Sequence, residues 1–118
     1  MSQILIVEDD TTFIQIIEGF LTKNNYSVET AIDLNEAFKL VEKQTYELLL
    51  IDYRLPDGTG LDLLKHVREK GLNVPIIIMT SFNDVRTAVK SIQMGAIDYI
   101  TKPLDLGELR DKISRHML

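Results

Sequence analysis

The chain has no cysteine among its 118 residues, which excludes a disulfide scaffold and any thiolate-held metal. It lacks a surplus of basic charge as well: 13 Lys and Arg stand against 18 Asp and Glu, for a net charge of -5. Phosphate binding relies on basic patches, so no direct contact with nucleic acid is expected of this domain, although a neighbouring DNA-binding domain is left open. Long hydrophobic runs are missing too. No stretch approaches a membrane span, and no charged-then-apolar leader precedes Ile4, so no membrane contact is expected and the cytoplasm is the default location. There is no internal repeat and no low-complexity segment. What is present is ordinary for a globular protein, with 45% hydrophobic and 26% charged residues. The length suits one domain over 1–118, compatible with a complete small protein or the N-terminal module of a longer one.

The central stretch runs from Leu48 to Gly60, LLLIDYRLPDGTG. Its unbroken apolar run reads as a strand buried on both faces, stopped by Asp52 and the turn-formers Pro56, Asp57, Gly58 and Gly60. Gln3 to Val7 holds a second such run, ILIV, followed by Glu8, Asp9 and Asp10. A third, IIIM, follows Pro75 and ends at Thr80 and Ser81. Tyr26 to Ile32 alternates loosely and suits an edge strand, and Ile97 to Thr101 makes the last strand before Lys102 and Pro103.

Helical spacing fills the intervals. Phe13, Ile16, Ile17, Phe20 and Leu21 share one stripe, ended by Asn24 and Asn25. Asp33 with Glu36, Thr59 with Asp62, and Asp105 with Glu108 carry capping-box patterns, and Ser81 with Asp84 gives a further capping signal. The fourth helix is expected to turn Val85, Ala88, Val89 and Ile92 inward. Five strand–helix alternations predict an α/β fold: a (βα)5 three-layer sandwich with a parallel sheet of flavodoxin-like order 2-1-3-4-5.

That order brings Glu8 and Asp9 beside Asp52 at the crevice between strands one and three. Three carboxylates repel one another and resist desolvation, a conflict that a hard oxygen-binding cation resolves; magnesium is expected, with manganese as a possible substitute. A blander reading has Asp9 or Asp10 capping the first helix while Asp52 opens a turn. Thr80 and Lys102 come to the same rim as a hydroxyl and a mobile cation. Pro103 fits either a helix-entry proline or a cis peptide.

Glu8-Asp9, Asp52 within DYRLPDGTG, Thr80-Ser81 and Tyr99 through Lys102-Pro103 together resemble the receiver domain of bacterial two-component response regulators, from Ile4 to the last helix. The resemblance implies a phosphorelay switch rather than an ordinary enzyme, one that catalyses its own phosphorylation and dephosphorylation. Asp52 matches the acceptor of a phosphoryl group from a sensor histidine kinase or histidine phosphotransfer protein. Asp9 matches the direct metal ligand, Glu8 its assisting acid and the Arg54 carbonyl the backbone ligand. Thr80, Lys102 and Tyr99 match the switch residues that reshape the surface of helix four, strand five and helix five. That surface would meet an output domain in cis, a protein partner or, on phosphorylation, a second copy. Arg54 and Phe82 occupy positions expected to tune phosphoryl lifetime. The loop after Asp52 and the segment TAVKSIQMGAIDYITKP are similar to receivers joined to ATPase-type transcription activators, so a transcriptional output is expected.

Three rivals fit less well. A haloacid-dehalogenase-type phosphatase needs D-x-D, but Thr11 and Thr12 stand two residues after Asp9 and Asp10. A nucleotide-binding domain would place a Gly-rich or hydroxyl-rich loop where this chain has acids. A phosphorylation-independent pseudo-receiver, the main alternative, usually lacks an acid, the Thr or the Lys, and all are present here.

Overall fold

The computed structural model describes residues 3–81 and 83–117. Their order is β1 (Gln3–Val7), α1 (Thr11–Lys23), β2 (Ser27–Ala31), α2 (Leu34–Lys43), β3 (Leu48–Asp52), β4 (Arg54–Leu55), β5 (Gly58–Thr59), α3 (Gly60–Glu69), β6 (Ile76–Ser81), α4 (Val85–Gln93), β7 (Asp98–Lys102) and α5 (Leu106–His116). The main sheet runs β2-β1-β3-β6-β7, every neighbouring pair parallel. Counted alone, its strands give the order 2-1-3-4-5 expected from the alternation. Among the described residues, no helix is long and apolar enough to cross a membrane.

Period-two alternation divides the buried strands between two cores. Leu5, Val7, Leu49, Ile51, Ile76 and Ile78 face the layer that includes α2 and α3. Ile4, Ile6, Leu48, Leu50, Ile77 and Met79 face α1 and α5. A central strand with both faces covered has no use for polar alternation, which explains why ILIV, LLLI and IIIM are uninterrupted. Each fully buried Leu or Ile contributes about 1.5–3 kcal/mol of transfer free energy. These strands therefore form the rigid part of the molecule.

Four caps are as simple as their sequences. Asp10, Asp33, Asp84 and Asp105 accept the N–H of Phe13, Glu36, Thr87 and Glu108 at 3.1, 2.8, 3.0 and 3.0 Å. Asp84 is the cap of α4 by itself, while Ser81 ends β6. Glu36 reaches past its expected partner and accepts the N–H of Ile32 at 3.2 Å. At α3, Asp62 does take the N–H of Thr59, at 3.0 Å.

Two anchors come from residues distant in sequence. Residues 54–59, expected as an irregular turn, form the antiparallel pair β4–β5. Asp57 at its tip accepts the N–H groups of Leu34 and Asn35 at 2.9 and 3.0 Å, giving α2 a second cap. Arg68 of α3 bonds three carbonyls at once: Gly95 at 3.0 and 2.8 Å, Leu72 at 2.8 Å and Val74 at 2.8 Å. Gly95 leaves α4 at φ +110°, and a Cβ there would stand 3.0 Å from Arg68 Nε. Glycine suits that turn both by its backbone freedom and by its lack of a side chain.

Helix α4 departs from the sequence expectation. Its inward residues are Thr87, Ala88 and Ser91, and Ser91 is fully buried with its hydroxyl bonded to the Ala88 carbonyl at 2.7 Å. Val85, Val89 and Ile92 point outward, Val85 being 69% exposed. Periodicity located the stripe but could not say which side of the helix meets the sheet. The small side chains do, because only they let α4 approach β6 and β7 closely.

Arg68→Ala would strand three carbonyls and is expected to cost about 2 kcal/mol. Urea unfolding checks this, and a midpoint within error of wild type would show that the clamp contributes nothing.

Candidate functional site

The carboxyl ends of β1, β3, β6 and β7 meet at one rim. The registers Val7↔Ile51, Asp52↔Met79 and Thr80↔Thr101 set Glu8, Asp52, Thr80 and Lys102 there before any side chain is considered. Gly60 secures the floor: its N–H donates to the Tyr53 carbonyl at 2.8 Å, and a Cβ would lie 2.5 Å from the Asp52 carbonyl. Only glycine lets α3 start this close beneath the end of β3.

Carboxylate oxygens of Glu8, Asp9 and Asp52 all lie within 4.8 Å of one another. Two of these acids are buried, Glu8 at 1% and Asp52 at 6% exposure, while Asp9 faces solvent. Asp10, next in sequence, is taken up entirely by capping α1. Glu8 divides its work: Oε2 accepts the N–H groups of Asp9 and Asp10 at 3.0 and 3.2 Å, and Oε1 takes Lys102 Nζ at 2.5 Å. Lys102 Nζ also stands 3.2 Å from Asp52 Oδ2 and 4.5 Å from the centre of the Phe13 ring.

Lys102 is thus the internal counter-charge of the acids. Burial weakens its charged form, but the bond to Glu8 and the charge of Asp52 outweigh that and hold its pKa above the usual lysine range. At Asp9 it is the charged form that is disfavoured. Partial desolvation, then the hydrogen bond with Glu8, raise its carboxyl above the ordinary value. One ammonium cannot balance three carboxylates whose oxygens lie within 4.8 Å of one another. The donor set is all oxygen and suits a hard divalent ion that keeps several waters.

Beside Asp52 opens a cleft of ≈ 120 Å³, lined in part by Arg54, Thr80, Asp84 and Lys102. A more apolar hollow of ≈ 270 Å³ lies at the opposite end of the sheet among Tyr46, Leu49, Val67 and Leu72. It has no charged lining group, so chemistry belongs to the smaller cleft. Thr80 is buried, and its Oγ1 has no hydrogen-bond partner among the described residues. Tyr99 is exposed on β7 and lines a hollow of ≈ 130 Å³ with Ala88 and Thr101. The Lys102–Pro103 peptide is cis. Phe82 lies outside the described residues.

Sequence reasoning missed the cleft-facing role of Asp84, although Asp84 and Thr87 carry a capping spacing. It also missed Phe13 beneath Lys102, for which no local pattern gives a signal.

Known proteins resemble this chain in sequence and in fold. Residues 4–114 match the response regulator receiver domain family, and the chain belongs to it. It is 34% identical over 110 residues to response regulator protein PilR of Pseudomonas aeruginosa, covering 93% of this chain and 25% of PilR. Against transcriptional regulatory protein DltR of Streptococcus agalactiae it is 38% identical over 111 residues, 94% of this chain and 50% of that protein. The chain therefore spans a quarter to a half of the length of these relatives. The receiver domain of Francisella response regulator 1452 superposes with a TM-score of 0.92 at 28% identity, over 98% of this chain and 95% of that one. A two-component response regulator from Clostridium difficile gives 0.91 at 30% identity, over 98% and 94%.

Two predictions follow from the charge balance and the orphan hydroxyl. Asp9→Asn is expected to raise the thermal midpoint in chelator, because it removes repulsion, and to forfeit most of the gain that magnesium gives wild type. Differential scanning fluorimetry decides it, and equal magnesium gains in both proteins would count against the metal assignment. Thr80→Val, which breaks no hydrogen bond, is expected to stay within about 1 kcal/mol of wild type in urea unfolding without phosphodonor.

Proposed function

We propose that this receiver domain accepts a phosphoryl group on Asp52 from a phosphohistidine of a sensor histidine kinase or histidine phosphotransfer protein. The observation that carries the reading is the closeness of Asp52 to Glu8, Asp9 and Lys102 beside a small cleft. Asp52 Oδ attacks phosphorus in line, a P–O bond forms as the P–N bond breaks, and the imidazole leaves with a proton. Such transfers depend on positioning and charge neutralisation more than on covalent help from the protein.

Magnesium, or manganese in its place, would be held by Asp9 and Asp52, with Glu8 assisting and the Arg54 carbonyl completing the protein ligands. When bound, it neutralises phosphoryl oxygens. Lys102 is placed to pass from Asp52 to a phosphoryl oxygen, and Thr80 to give its unused hydroxyl to another. Dephosphorylation is the attack of water on the same phosphorus, and the side chains of Arg54 and Phe82 are assigned to restricting that water.

The bond to Thr80 is the switch. Its movement toward the phosphoryl group leaves room for Tyr99 to turn inward, toward the hollow it already borders. Val85, Val89, Ile92, Ile97 and Tyr99 form an exposed apolar surface around α4 and β7. That surface would then change shape toward an output domain, most simply a transcriptional one, toward a protein partner or toward a second copy. The whole of 1–118 acts as one receiver.

Intact mass after incubation with magnesium and acetyl phosphate tests the assignment. One phosphoryl adduct is expected on wild type, none on Asp52→Asn and none with chelator. No adduct on a folded, magnesium-binding wild type would favour a phosphorylation-independent module instead.

A further inference from the structure

The cleft beside Asp52 carries two charged walls that acceptor chemistry does not require. Arg54, from β4, and Asp84, the cap of α4, both line it. Asp84 is fixed by Thr87, whose N–H and hydroxyl donate to its two oxygens at 3.0 and 2.6 Å. Those bonds hold its carboxyl below the usual range, and the positive charge of Arg54 adds to them. The Arg54 guanidinium is exposed, 5.9 Å from the centre of the Tyr53 ring; it shares the lining of the cleft with Asp84 and, among the described residues, forms no direct ion pair with it. Lys102, the other cation of the cleft, is engaged by Glu8 and Asp52.

We propose that Arg54 is a positioning residue forming an electrostatic tether between the β4–β5 hairpin and the first turn of α4, one that phosphorylation of Asp52 releases. The inference rests on the phosphoacceptor reading above. Phosphorylation replaces a single carboxylate charge by a group with about twice the negative charge and several strong acceptor oxygens. A guanidinium, planar and weakly hydrated, matches such a group better than it matches a carboxylate already bonded to Thr87. In a cleft this small, Arg54 turns to the new charge and away from Asp84. The cap bonds to Thr87 remain, so α4 stays helical while its entry is freed to shift. Only small residues, Thr87, Ala88 and Ser91, seat this helix, and its other end is pinned where Arg68 holds Gly95. The tether therefore acts at the end of α4 that is able to move.

A double-mutant cycle tests this in the full chain, with Arg54→Ala, Asp84→Asn and both together. Asparagine keeps a capping oxygen and removes only the charge. In urea unfolding with magnesium alone, the two sites are expected to be coupled by roughly two- to five-fold in the folding equilibrium constant, the range for exposed charges. With beryllofluoride as the phosphoryl mimic the coupling disappears, and Arg54→Lys keeps part of it in the resting state. Additive effects without the mimic, or coupling unchanged by it, would overturn the tether. A wild type that shows neither a mass adduct nor any response to beryllofluoride would overturn the phosphoacceptor reading, and the tether with it.

Discussion

Everything at the rim answers to one electrostatic constraint: three carboxylates gathered where two strands end, two of them buried. Glu8 and Asp52 are buried because β1 and β3 are buried, and oxygens of both lie within 4.8 Å of an Asp9 oxygen. The chain offsets part of the repulsion with Lys102, sent from the last strand of the sheet across to Glu8, and part with the backbone N–H groups of Asp9 and Asp10. At Asp9 desolvation, and after it the hydrogen bond with Glu8, still hold the carboxyl above its ordinary value. A site so arranged is a poor place for apolar or neutral ligands and a good one for a hard cation.

Rigidity and mobility are divided accordingly. The β3 end is fixed from several sides: by the N–H of Tyr53 on the Met79 carbonyl at 2.8 Å, by Gly60 packed under Asp52, and by the hairpin whose tip caps α2 through Asp57. Such over-determination holds the Asp52 side chain within a narrow range of positions. Helix α4 is the reverse case. It presents small side chains to the sheet and larger ones to solvent, and little apolar area holds its first turn. A helix seated so lightly is the natural element to carry a conformational change.

Thr80 shows how close the two regimes lie. It belongs to a buried central strand, yet its hydroxyl is left without a partner. Buried polar groups are usually satisfied, so an exception beside a charged cleft stands out. Four residues on, Asp84 caps α4, its N–H bonded to the Ser81 carbonyl at 3.0 Å. Chemistry at the strand end and the position of the helix are thereby separated by a few bonds.

The sequence by itself determined the sheet and its order, since uninterrupted apolar runs and strand–helix alternation admit few other topologies, and with them the gathering of Glu8, Asp9, Asp52, Thr80 and Lys102. Those residues lie at strand ends, where main-chain register alone sets position. Only the tertiary structure decided which side of α4 faces inward, because a stripe of Val85, Val89 and Ile92 satisfies helical periodicity whether it meets the sheet or the solvent. The same holds for Asp57 on α2 and Arg68 on Gly95. Each joins residues from separate elements, and side-chain pairing at that distance leaves no periodic trace in the chain. Local pattern records what a residue does for its own helix or strand, and what it does for another element is settled only when the layers pack.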